Sequence, residues 1–72
     1  MKLREKMVIV ATMLGGEEIE SRSGKYRTFK RPDTDNLFFV GKAGALRSGK
    51  CATKSFDISR SRVVQELLAK MT

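Results

Sequence analysis

Leu37-Phe38-Phe39-Val40 is the stretch on which the fold turns. Two aromatics and a β-branched residue in a short apolar run, bounded by turn formers, predict a strand. Just before it, Pro32-Asp33-Thr34-Asp35-Asn36 reads as a turn: proline presets φ, and Asp and Asn bond their own backbone. Before the turn, Lys25-Tyr26-Arg27-Thr28-Phe29-Lys30-Arg31 suits a pleated surface through its Tyr, Thr and Phe. After it, Gly41, Gly44 and Gly49 punctuate the chain. Ala45-Leu46-Arg47 reads as a short strand between them, hairpinned back onto Phe38–Val40. Cys51 to Ile58 reads as a further extended segment. Phe38, Val40 and Leu46 are assigned to the core; Phe39 points the opposite way, so it is either covered from the other side or an exposed contact.

The N-terminal run Met7-Val8-Ile9-Val10-Ala11-Thr12-Met13-Leu14 has two readings. As a helix it keeps Leu3, Met7, Val10 and Leu14 on one side, with Gly15 as a C-cap. As a strand it suits Val8, Ile9, Val10 and Thr12, which are poor helix formers, and the strand is preferred. Gly15-Gly16 then makes a tight hairpin turn, with a weak return strand from Glu17 to Arg22 whose only apolar contact is Ile19.

The C-terminal segment is helical by pattern. Val63, Val64, Leu67, Leu68 and Met71 recur as one apolar stripe, while Arg60, Arg62, Glu66 and Lys70 face elsewhere. Asp57, Ser59 or Ser61 can cap its start. The expected fold class is α+β: a small antiparallel β-meander of three to five strands with one C-terminal α-helix packed on the sheet, forming a single small basic domain over residues 1–72.

Seventy-two residues allow one small core, and 40% apolar composition is enough to build it. A core of that size leaves self-association as one route to stability. The lone cysteine, Cys51, cannot close an internal disulfide, and a chain without histidine offers too few zinc ligands. The apolar run is too short to span a bilayer. Acidic Glu17 and Glu18 follow it at once, which argues against an export signal, so no membrane partner and a cytoplasmic location are expected.

Charge is concentrated. The formal net charge is +7. Residues 21–54 carry nine Lys or Arg against Asp33 and Asp35, and so hold a local excess of +7, while the flanking segments sum to nearly nothing. A basic stretch of that density attracts polyanions.

Gly44-Ala45-Leu46-Arg47-Ser48-Gly49-Lys50-Cys51 fits the G-x-x-x-x-G-K spacing of a phosphate loop. Cys51 replaces the magnesium-binding hydroxyl, no helical stripe follows, and the chain has no room for a parallel sheet. The pattern reads instead as a glycine-punctuated hairpin. Asp33 and Asp35 match only the opening of a calcium loop. Without histidine, general-base chemistry has only carboxylates or lysines to draw on, and Glu17, Glu18 and Glu20 read as a solvated loop. Cys51 has no partner base, although Lys50 and Lys54 would lower its pKa. No catalytic residue, metal or cofactor is expected.

The positive signal is the interleaving of aromatics and cations. Period two puts Lys25, Arg27, Phe29 and Arg31 on one face and Tyr26, Thr28 and Lys30 on the other, each an aromatic flanked by cations. That arrangement stacks bases while neutralising phosphates. The expectation is a non-enzymatic nucleic-acid-binding protein that contacts phosphates through the basic strands and hairpins of residues 22–54. Its candidate residues are Arg22, Lys25, Tyr26, Arg27, Lys30, Arg31, Lys42, Arg47, Lys50 and Lys54, with Arg60 and Arg62 as further phosphate contacts. The alternative is a protein-interaction or assembly module, such as a small regulator or inhibitor or a homo-oligomer, using Phe39, an open strand edge or the Val63/Leu67/Met71 stripe.

Overall fold

Phe29 of β2 (Arg27–Lys30) stands opposite Phe38 of β3 (Leu37–Val40), and the rest of the sheet extends from that pair. The computed structural model describes residues 1–21 and 24–71. Among these, β1 (Glu17–Ile19), β2, β3, β4 (Leu46–Gly49) and β5 (Ser55–Asp57) form a five-stranded antiparallel sheet in sequence order. Helix α1 (Leu3–Met13) precedes the sheet and α2 (Arg62–Ala69) follows it. The α+β class and the antiparallel meander with its C-terminal helix are as expected from sequence.

Cross-strand partners share a face, so the register sorts every strand residue. Phe29, Phe38, Val40 and Leu46 point one way and join Met7, Val10 and Ala11 of α1 and Val64 of α2 in the buried core. Both helices therefore cover the same face. The opposite face carries two rows: Ile19, Thr28, Phe39, Arg47 and Asp57, and beside them Glu17, Lys30, Leu37, Gly49 and Ser55. Among the described residues, no helix lies over it.

The N-terminal run is a helix, correcting the strand preferred above. Met7, Val10 and Ala11 are buried and Leu14 packs against them, a stripe at helical spacing. Fully burying such side chains is worth about 1.5–3 kcal/mol each. The helix cost of a β-branched residue is below about 0.7 kcal/mol, so packing decides. Gly15-Gly16 is accordingly no hairpin turn but the helix terminator. Gly15 sits at φ 94°, its N–H donates to Thr12 O, and Gly16 N–H donates to Ala11 O, which is the Schellman pattern. The strand after it is shorter than expected, only Glu17–Ile19, and exposed throughout.

Strand β4 runs Leu46–Gly49, later than Ala45–Arg47, because it pairs along the full length of β3. The segment after it is not one extended run: a 3-10 turn at Ala52–Lys54 intervenes before β5, closed by Lys54 N–H to Cys51 O. On α2, Val64 is buried and Leu67, Leu68 and Met71 pack on the core, but Val63 is 54% exposed and leaves the stripe. Of the three cap candidates Ser61 is the one used, its Oγ accepting from Val64 N–H at 3.4 Å. Among the described residues, no helix is long and apolar enough to cross a membrane.

Candidate nucleic-acid interface

The helix-free face of the sheet is hollowed into a groove of about 480 Å³. Ile19, Thr28, Leu37 and Phe39 supply its floor from three strands, and Tyr26 closes one side. The segment after β4 adds Lys50, Cys51 and Ala52 at the rim, and Glu20 also lines the groove. Alternation within β3 causes this layout: with Phe38 and Val40 spent on the core, Leu37 and Phe39 must face outward. Phe39 is nevertheless only 5% exposed. Tyr26 meets it edge-on, ring centroids 6.0 Å apart at 71°, and covers much of it. So Phe39 is floor, neither core on the helix side nor a projecting contact. Tyr26 is half-buried.

The cations of residues 21–54 divide between the two faces, as the period-two argument requires. Arg27 lies on the helix side and donates through Nε and Nη2 to both carboxylate oxygens of Glu18, at 2.7 and 2.6 Å. Arg31 also lies on that side, its guanidinium 4.4 Å from the centre of the Phe38 ring. On the open face, Lys30 is exposed with Glu17 opposite it in register. Arg47 is opposite Asp57 and donates to Ser55 Oγ and Ser55 O at 2.8 and 2.7 Å. Lys50 and Lys54 are exposed, as are Lys42 in the β3–β4 turn and Lys25 before β2. Arg22 lies outside the described residues. The +7 excess is thus not one cationic surface. The groove brings together Tyr26 and Lys50, with Lys30 and Arg47 on the same face, while Arg27 and Arg31 are engaged behind it.

The G-x-x-x-x-G-K stretch lies in the β3–β4 turn, β4 and the segment after it, and only the 3-10 turn Ala52–Lys54 follows, so no helix opens on it. Cys51 is exposed, not buried. Its thiol is drawn below its ordinary pKa first by the Thr53 hydroxyl, 3.3 Å away, and then by the Lys54 and Thr53 backbone amides; the Lys54 charge is a lesser cause. Asp57 is likewise held below the usual carboxylate value, chiefly by the Ser59 backbone N–H at 2.8 Å.

Ile19, Leu37 and Cys51 belong to the groove although charge-based reasoning passed over them; the alternation of β3 is the signal that places Leu37 beside Phe39. A second set, Lys2 and Arg4 of the N-terminal segment, lies beside Arg27 and Lys42. Nothing in the near-neutral total of residues 1–20 marks them. No protein-family model, curated protein or solved structure matches the chain.

Proposed function

We propose that the chain is a nucleic-acid-binding domain, without chemistry of its own, that lays a single-stranded segment along the helix-free face of its sheet. The observation that carries this is the groove itself: an apolar hollow floored by Phe39, with Tyr26 edge-on to it at one side and Lys50 at its rim. Single strands bind such surfaces through base–aromatic contact, about 1–3 kcal/mol per base, plus a cationic margin along the backbone. Tyr26 offers the accessible ring, and Ile19, 40% exposed, extends the apolar floor. Lys30 and Lys50 reach phosphates from the same face.

Fluorescence anisotropy with a labelled oligothymidylate at several salt concentrations tests the reading. Tyr26→Ala is expected to weaken binding at every salt concentration without changing the log–log salt slope. Lys50→Ala and Lys30→Ala are each expected to reduce that slope by about 0.7. Absence of binding at low salt overturns the proposal.

One observation favours a second reading, self-assembly. Phe56 sits on the edge strand β5 and is 79% exposed, and an open edge beside an exposed aromatic invites strand pairing. Light scattering over a concentration series decides it: a monomer throughout removes this reading, and a dimer dissolved by Phe56→Ser supports it.

A further inference from the structure

Three distant parts of the chain put cations around one cleft of about 470 Å³ on the molecule. Lys2 and Arg4 come from the start of α1, Arg27 from the start of β2, and Lys42 from the β3–β4 turn. The turn is pinned there. Gly44 is at φ 95°, and a Cβ on it would stand 2.7 Å from Leu3 Cγ and 3.1 Å from the Arg4 backbone nitrogen. The turn backbone therefore rests directly on the first turn of α1 and holds Lys42 beside Lys2 and Arg4.

The acids nearby leave a surplus of positive charge. Glu5 is the one carboxylate in the lining, and Glu18 engages Arg27 from outside it. That pair uses two of the five N–H donors of Arg27 and fixes the guanidinium in place. Arg4 has the opposite problem: its Nε is buried and has no hydrogen-bond partner. A guanidinium with unspent donors, a fixed second guanidinium and two exposed ammonium groups is the donor set that oxyanions select.

We propose that this cleft is a phosphate seat, taking a phosphoryl oxyanion between Lys2, Arg4 and Lys42 with Arg27 as the steadied fourth cation. Its geometry relates it to the groove. Tyr26 precedes Arg27 in the chain, and Gly41, whose Cβ would lie 3.6 Å from the Tyr26 ring, precedes Lys42. Tyr26 and Arg27 face opposite sides of the sheet, so a strand passes from the groove to the seat only by rounding the end of β2 at Tyr26. The backbone of a bound nucleic acid is therefore one source of the phosphate, and that part of the inference rests on the function proposed above. A free phosphorylated small molecule is the other source.

The test is amide NMR of the full chain titrated with inorganic pyrophosphate, repeated with an oligothymidylate. Saturable shifts are expected at residues 2–5 and 42–44. Replacing Lys2 and Lys42 by Ala is expected to weaken pyrophosphate about tenfold or more, whereas replacing Lys54 and Lys70, an equal loss of charge at exposed residues outside the lining, is expected to leave it nearly unchanged. Shifts scattered over all lysines, or equal losses in the two double variants, overturn the seat. If the Lys2/Lys42 variant loses oligothymidylate affinity in parallel, the nucleic-acid source is supported; if only pyrophosphate is lost, that source is overturned and the small-molecule source stands. Tyr26→Ala keeps the two proposals apart, since it is expected to spare pyrophosphate while weakening the oligonucleotide.

Discussion

Arg27 and Glu18 form a two-pronged ion pair diagonally across the β1–β2 ladder, Nε to Oε2 at 2.7 Å and Nη2 to Oε1 at 2.6 Å. Glu18 faces Phe29 in register, so the pair lies two residues along the same face, at the edge of the helix-covered side. It fastens the weakest strand, which contributes no buried side chain of its own. Alternation along β2 already turns Arg27 away from the open face, and the pair holds its guanidinium there.

The pair has a pH signature. Hydrogen bonding from Arg27, reinforced by the charges of Arg27 and Arg4, holds the Glu18 carboxyl below its ordinary 4.5 despite some desolvation. A carboxyl with a depressed folded-state pKa contributes stability that is complete above 4.5 and lost as pH falls through the folded value. Both side chains are about two-fifths exposed, so the contribution is that of a screened pair, about 0.2–1 kcal/mol. Urea denaturation of Glu18→Gln is expected to show that deficit at neutral pH and none once wild-type Glu18 is protonated. An equal deficit at both pH values would mean the loss is one of packing.

Two residues of α1, spaced i and i+2, separate helix from strand. Met7 is 2% exposed and Ile9 is 37% exposed. Met7→Ala is expected to cost about 2–5 kcal/mol, enough to leave a chain of this size largely unfolded, while Ile9→Ala stays within about 1 kcal/mol. Chemical denaturation of the two variants reads the difference directly. In a strand Met7 and Ile9 would share a face and behave alike; in a helix they diverge.

That contrast marks what could be read from the residues. The run Leu37–Val40 announces itself because apolar residues between Asn36 and Gly41 have few other structures open to them, and the opposed facing of Arg27 and Lys30 follows from a strand period that never varies. Residues 7–14 carry a helical periodicity and a strand propensity at once. Met7, Val10, Ala11 and Leu14 satisfy the helix, Val8, Ile9 and Val10 favour the strand, and only the apolar face of β2 and β3 settles the competition. The distribution of charge was hidden for a related reason. Whether Arg27 is free depends on Glu18 reaching it across a ladder, and whether Lys42 meets Lys2 depends on α1 being a helix lying on the β3–β4 turn.

The glycines at turns offer a paired experiment. Gly24, at φ 70°, has nothing within 4 Å of a would-be Cβ, whereas Gly44, at φ 95°, has Leu3 and Arg4. Gly24→Ala is expected to cost only the left-handed penalty of about 1–2 kcal/mol. Gly44→Ala adds a collision with α1 and is expected to cost more, its midpoint falling at least about 4 °C below that of Gly24→Ala in thermal unfolding. Equal midpoints would show that the turn does not rest on the helix.

Cys51 reports on the groove. Because the Thr53 hydroxyl is the main cause of its lowered pKa, Thr53→Val is expected to move the thiol back toward 9.0 and slow alkylation by iodoacetamide at neutral pH several-fold. Since Cys51 lines the groove, saturating oligonucleotide is expected to slow alkylation of the wild type as well. Alkylation unaffected by oligonucleotide that is demonstrably bound would locate the ligand elsewhere.

The order of strands in the sheet has a kinetic consequence. Every strand pairs with its neighbour in sequence across five to seven residues, so each rung of the ladder closes only a short loop and pays little closure entropy. The sheet can therefore assemble hairpin by hairpin, at the fast end of what β-structure allows. Helix α1 cannot keep that pace, because its buried face needs β2, β3 and α2, the last of which lies at the opposite end of the chain. Docking of the two helices on the sheet is then expected to be the slow step of folding, and replacing Met7, Val10 or Val64 is expected to slow it.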